Sequence, residues 1–132
     1  MRKKTILLAT AAFAASSLIT APAASATPRG CGDMANGQLC VNQPPGNHYG
    51  GYYTTEYVKH HGKPVKVKLG YRAKSASGQD HGIVWDSKWL TAKDGKVVQK
   101  KRYLTMDRGW CIRGYMKSGG KTYETKYLCW KP

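Results

Sequence analysis

The chain has 132 residues, with 22 Lys+Arg against 7 Asp+Glu and a formal charge of +15. That length holds one domain and excludes a multidomain enzyme. Four cysteines, 15 glycines and nine tyrosines point to a small, turn-rich, crosslinked fold.

The first segment is a targeting signal. Arg2, Lys3 and Lys4 form a positive start, Ile6 to Ile19 is apolar and uncharged, and Ala24-Ser25-Ala26 offers small residues before a cleavage site. This pattern predicts a secretory signal peptide over residues 1–26 and one secreted domain over 27–132. The apolar stretch falls short of the ~20 residues a transmembrane helix needs. Pro28-Arg29-Gly30 before Cys31 is not a lipobox, and no second hydrophobic segment follows. The expected product is therefore extracellular and released, without a membrane span. Cleavage after Ala26 leaves 106 residues and removes three positive charges, lowering +15 to +12.

The mature part opens with Cys31 and Cys40, which bracket Gly32-Asp33-Met34-Ala35-Asn36-Gly37. Cys111 and Cys129 lie near the other end. An even cysteine count in an exported chain of this size argues for two disulfides, with three connectivities open. The local pairing, Cys31–Cys40 and Cys111–Cys129, is the expected one. Tight CxxC pairs are absent, so no metal site is expected.

Gln38 to Asn42 reads as a short strand, broken by Pro44-Pro45-Gly46. Tyr49 to His60 is aromatic, Thr-rich and β-prone, weakened at Gly50-Gly51. Val65, Val67, Leu69 and Tyr71 alternate with Lys66, Lys68, Gly70 and Arg72, a strict period of two over eight residues. One face of that strand should be buried and the other wet. Ile83 to Leu90 suggests one further strand, and Asp94-Gly95 a two-residue hairpin. Val97 to Thr105 would return from it. Asp107-Arg108-Gly109 turns into Trp110 to Lys117, and Lys121 to Trp130 closes the chain.

Ser118-Gly119-Gly120 marks another hairpin, because Gly tolerates positive φ. A three-residue loop there pairs Ser118 with Thr122, and the same register sets Cys111 opposite Cys129. No window carries a helical stripe, and turn signals recur about every ten residues. The fold class expected is all-β: a small antiparallel sandwich or a barrel-like meander. Aliphatic residues are few, so Trp85, Trp89, Trp110 and several tyrosines are expected to supply core area.

Candidate sites follow from charge and aromatics. Lys66, Lys68 and Arg72 share one strand face, and Lys100, Lys101 and Arg102 form a second basic cluster. Such faces attract an acidic protein, a wall polyanion or a nucleic acid. They also fit the solvated side of a sheet with lysines guarding its edge. Export and the lack of a recognition motif argue against nucleic acid. Tyr49, Tyr52, Tyr53 and Tyr57 cluster, with Tyr52 and Tyr53 on opposite faces of a strand. Two of the four are expected in the core and the others at a contact surface. Lys66, Lys68, Arg72, Tyr52, Tyr53 and Tyr57 are the candidate partner-binding residues.

Catalytic candidates are sparse. His48, His60, His61 and His81 are present, and Glu56 near His60-His61 suggests acid–base work of a ribonuclease kind. No histidine follows His81, and the Glu/Arg/His order of small guanyl-specific ribonucleases is not found. Asp80 and Asp86 flank His81 and Trp85, with Asp80 assigned to a Ser75–Asp80 turn. No GxSxG occurs. No catalytic residue, metal or cofactor is expected.

Several segments carry a resemblance: Cys31 to Cys40 with Asn36-Gly37 and Leu39-Cys40-Val41, then Val65-Lys66-Val67-Lys68-Leu69-Gly70-Tyr71, Trp85-Asp86, Ile112-Arg113-Gly114 and Tyr123 to Cys129. Together they span most of the mature domain. They resemble a group of small secreted actinobacterial two-disulfide β proteins that includes the adaptor subunits of Streptomyces umbrella toxin particles. The resemblance implies a non-catalytic β domain bridging a lectin-like subunit to a large repeat-bearing toxin, and it assigns no contact residue. The functional expectation is a secreted protein-binding module. The alternatives are an enzyme inhibitor acting through the Cys31–Cys40 loop and a cationic antimicrobial or polyanion binder.

Overall fold

The computed structural model describes residues 29–45 and 49–132. The signal segment and His48 lie outside the described residues. Ten strands run in chain order: β1 (Arg29–Met34), β2 (Gly37–Asn42), β3 (Gly50–Lys59), β4 (Val65–Lys74), β5 (Asp80–Trp85), β6 (Leu90–Ala92), β7 (Val97–Thr105), β8 (Cys111–Ser118), β9 (Lys121–Glu124) and β10 (Leu128–Cys129). No helix occurs among the described residues.

The strands form two antiparallel sheets. One has the order β1-β2-β3-β7. The other has the order β10-β8-β4-β5, with β6 also pairing β4 and β9 also pairing β8. Side chains alternate across each strand, so each sheet offers one apolar face and one wet face. Leu39, Tyr57, Val67, Leu69, Ala92 and Met116 fill one half of the space between the sheets. Val41, Tyr53, Met106, Ile112 and Trp130 fill the other half. Leu39, Val67 and Leu69 have no exposed surface, and full burial of such a side chain is worth roughly 1.5–3 kcal/mol. Of the two all-β architectures expected, the sandwich forms.

The expected alternation of β4 is met, with Val67 and Leu69 buried and Lys66 exposed. Strand β7 spans the expected residues. Both local disulfides form, each between directly opposed residues, with Cα atoms 4.1 Å apart for Cys31–Cys40 and 4.0 Å for Cys111–Cys129. Crosslinks of this kind are worth typically ~2–4 kcal/mol. The small core of a chain this size makes them important.

Four expectations need correction. First, Ile83 to Leu90 is not one strand. Strand β5 stops at Trp85: the Asp86 N–H makes one last bond in the same register, to the Leu69 carbonyl at 2.8 Å, and its carboxylate turns inward.

Second, Asp94-Gly95 makes a turn but no hairpin. The Lys96 N–H meets the Lys93 carbonyl at 3.0 Å, and Gly95 has φ 69°. Strand β6 nevertheless pairs β4, while β7 crosses to the other sheet and pairs β3.

Third, the Gly119-Gly120 loop has two residues, closing Ser118 on Lys121, with φ of 57° and 76°. Both residues at positive φ is the type I′ pattern that suits strand twist. The shorter loop puts β9 one residue out of step with β10, where Leu128 faces Ile112. The chain absorbs the difference opposite Arg113, where Lys126 and Tyr127 face one residue. That arrangement is a bulge.

Fourth, Trp89 is 52% exposed and Trp85 lies half-buried on an outer face, while Trp110 packs against the core as expected. The buried tryptophan is Trp130.

Candidate functional site

The outer face of the six-stranded sheet carries Lys66, Lys68 and Arg72. Their inward neighbours Val67 and Leu69 are buried, so the pleat turns these cations out. Lys66 Nζ donates to Thr91 Oγ1 at 2.8 Å across the rung to β6. Lys68 lies opposite Lys117 on β8. Like charges on one rung repel, and each cation is drawn over an aromatic ring instead. Lys68 Nζ is 5.5 Å from the Trp89 ring centre, and Lys117 Nζ is 4.6 Å from that of Trp85. Trp85 also meets Tyr115 edge to face, with centroids 6.3 Å apart. Gly70 has no side chain on this face, so Trp85 lies directly over it; a Cβ there would come within 2.8 Å of the ring.

Arg72 is not available in the same way. Its Nε donates to Asp80 Oδ1 at 2.8 Å, and the two groups form an ion pair. The Arg72 bond, aided by the Gly82 N–H, lowers the Asp80 carboxyl to about 2. The guanidinium is raised in turn, first by its bond to Asp80. By contrast, Lys66, Lys68 and Lys117 of this face have no carboxylate partner among the described residues, with Lys66 and Lys117 exposed and Lys68 half-buried.

The tyrosine cluster is divided by β3. Tyr53 and Tyr57 are buried and belong to the core, which removes them from any contact surface. Tyr49 is half-buried, edge-on to Trp130 with centroids 5.4 Å apart. Only Tyr52 is turned fully outward, at 60% exposed. It faces Tyr103 across one rung to β7, itself 63% exposed. The rings meet edge to face at 5.4 Å, and Lys101 Nζ is 5.7 Å from the Tyr52 ring centre. Further along the same outer face, Arg29 pairs with Glu56. The six candidate contact residues thus do not form one patch. Lys66, Lys68 and Arg72 lie on one outer face of the sandwich and Tyr52 on the other.

The second basic cluster also splits. Lys101 points outward, whereas Lys100 and Arg102 point between the sheets. There they meet the buried Asp86 carboxylate at 3.5 and 3.6 Å. Asp86 therefore closes one edge of the sandwich.

Catalytic groupings do not assemble from the histidines described. Glu56 is engaged by Arg29, on the outer face, while His60 and His61 are exposed beyond the end of β3. His81 stacks on Trp110 with centroids 5.6 Å apart, and its neighbour Asp80 is held by Arg72. Among the described residues no group of three or more His, Cys, Asp or Glu is placed to hold a metal. All four cysteines are paired. The Cys31–Cys40 segment is a hairpin built into the sheet, with the Asn36 carbonyl accepting from the His60 N–H at 2.8 Å.

Four members of these patches, Tyr103, Lys117, Trp85 and Trp89, were missed from sequence. Tyr103 and Lys117 sit at alternate positions of well-patterned strands, so period two would have turned them outward. Trp89 offered no such signal, because its exposure depends on the break at Asp86. No family model and no curated protein matches the chain.

Proposed function

We propose that the chain is a secreted, non-catalytic protein-binding module that bridges two extracellular partners. One observation carries this reading: two aromatic–cation patches lie on opposite outer faces of one rigid sandwich. Tyr52, Tyr103 and Lys101 form the first. Lys68, Lys117, Trp85 and Trp89 form the second. Exposed aromatics on rigid strands are anchors of the kind that dominate protein interfaces. A bridging protein needs two surfaces that can be covered at once, and opposite faces meet that need. The role fits an adaptor within an extracellular interbacterial toxin complex, joining a lectin-like subunit to a repeat-bearing toxin. The two disulfides suit an oxidising compartment.

The test is capture from the producing culture's supernatant with tagged protein. Wild type is expected to retain two partners. Tyr52→Ala with Tyr103→Ala should lose one, and Lys68→Ala with Trp89→Ala the other. Recovery of the protein alone, or retention of both partners by both variants, overturns the reading.

A second reading has its own support. Lys66, Lys68 and Lys117 stand together on one face, and among the described residues none forms an ion pair with a carboxylate. A polyanion binder would use that face, and its affinity for a nucleic-acid polyanion would fall steeply with added salt. Binding that ignores salt removes this reading. The inhibitor reading has less behind it, since the turn of the Cys31–Cys40 hairpin is already bonded to His60.

A further inference from the structure

At one end of the sandwich the sheets part around a cavity of about 230 Å³. Met34, Tyr57 and Lys59 line it from the four-stranded sheet, and Val65, Met116 and Tyr123 from the other. Lys59 is the unusual member. It continues the inward series Tyr53, Thr55, Tyr57 along β3 and is 3% exposed. Burying an ammonium group is costly unless a counter-charge and hydrogen bonds compensate.

Lys59 Nζ donates to the His61 carbonyl. That is one neutral acceptor for a group with three donors. Among the described residues no carboxylate pairs with it. The cavity therefore joins a buried cation lacking an anion to walls of Met34, Val65 and Met116. Methionine walls adapt to the shape of an apolar guest. The volume is below the ~300–1,000 Å³ usual for drug-sized ligands, so the guest is small.

We propose that this cavity binds a small monocarboxylate with a compact apolar body, the carboxylate on Lys59 and the body against Met34 and Met116. The chemistry is shared by a free acid and by the C-terminal residue of another chain. This site is independent of the two outer faces.

The experiment follows methyl signals of the protein labelled at methionine, titrated with 4-methylpentanoate and 3-phenylpropionate. Met34 and Met116 should shift saturably. Met106 lies in the other core cluster and should not move. The matching primary amides should bind roughly tenfold or more weakly, since they lack the charge-assisted bond. A short peptide ending in leucine with a free carboxylate distinguishes the sources: binding extends the site to chain termini, and no binding restricts it to free acids. Lys59→Met should abolish the preference for acid over amide, and Lys59→Arg should keep it. If Lys59→Met fails to fold, the acid and amide comparison on wild type decides alone. Equal shifts from acid and amide, equal movement of Met106, or no saturable shift overturns the proposal.

Discussion

Trp130 Nε1 donates to the Tyr53 hydroxyl at 2.6 Å across the interior of the sandwich. The Tyr53 hydroxyl donates onward to the Tyr49 carbonyl at 3.0 Å. This relay ties the end of the chain to β3 of the opposite sheet. Tyr53→Phe keeps the ring but leaves the indole N–H buried without its acceptor. An unsatisfied buried donor costs about 1–3 kcal/mol. The unfolding free energy should fall by that amount, read as a lower urea midpoint at unchanged slope. Tyr52→Phe, on the exposed face of the same strand, should stay within about 0.5 kcal/mol. Equal effects at the two positions would show that the relay adds nothing.

The same tyrosine sets an alkaline limit. Burial raises the Tyr53 phenol above its usual value, and the bond from Trp130 only partly offsets this. Burial, followed by the nearby Tyr123, raises Tyr57 as well. A group whose folded pKa is raised adds stability that is complete below the unfolded value, about 10 for tyrosine. That stability is lost as pH rises toward the folded value, because the unfolded chain releases its proton first. Stability should therefore fall above about pH 10. The gap between wild type and Tyr53→Phe should narrow over that range, since the variant has no such proton to lose. A gap that stays constant through the tyrosine range refutes the assignment.

Much of this architecture is legible in local pattern, and the failures share a cause. Val65 to Tyr71 announces β4 because one face meets the core and the other meets water. The Cys31–Cys40 bond is legible because cross-strand cysteines need only a hairpin register, whereas Cys111 meets Cys129 only after a one-residue shift between β9 and β10. Strand β1 escapes notice because Arg29–Met34 holds two glycines and an aspartate. It is a strand through its pairing with β2 and the Cys31–Cys40 bond. Lys100 and Arg102 read as a surface cluster because nothing nearby in sequence reveals Asp86 waiting between the sheets. The Tyr52–Tyr103 pair depends on a rung joining residues far apart in the chain. Local periodicity says which way a side chain points, but a partner across a sheet or between sheets belongs to topology.

The Arg72–Asp80 pair gives an acid-side prediction. Arg72 first, then the Gly82 N–H, holds the Asp80 carboxyl at about 2. A depressed carboxyl contributes stability above its unfolded pKa, and that contribution disappears as pH falls toward about 2. Carboxyl carbon shifts followed by NMR should place the Asp80 midpoint well below the ordinary 3.8. Arg72→Gln should return its midpoint toward the ordinary 3.8. An Asp80 midpoint unchanged by Arg72→Gln would assign the depression to the Gly82 N–H instead.

Gly114 sets the separation of the sheets. A Cβ there would lie 3.1 Å from Thr55 Cγ2, 3.2 Å from Thr125 Cγ2 and 3.3 Å from Val41 Cβ. None of the three gives way easily. Thr55 Oγ1 is bonded to the Gly70 carbonyl at 3.0 Å, linking the two sheets. Thr125 Oγ1 accepts from the Gly114 N–H at 2.9 Å and donates to the Lys126 carbonyl at 2.8 Å. Val41 is fully buried. Gly114→Ala should therefore lose about 1–3 kcal/mol through overpacking. The reduced freedom of the unfolded chain returns about 0.4–1 kcal/mol, which narrows the loss without reversing it. Gly50→Ala is the control, because its nearest neighbour, the Tyr103 hydroxyl, lies 3.4 Å away on the open face. Urea unfolding should separate the two variants by about 1 kcal/mol or more. Equal midpoints would show that the interior at Gly114 has room for a methyl group, and that Thr55 and Thr125 do not hold the sheets at a set distance.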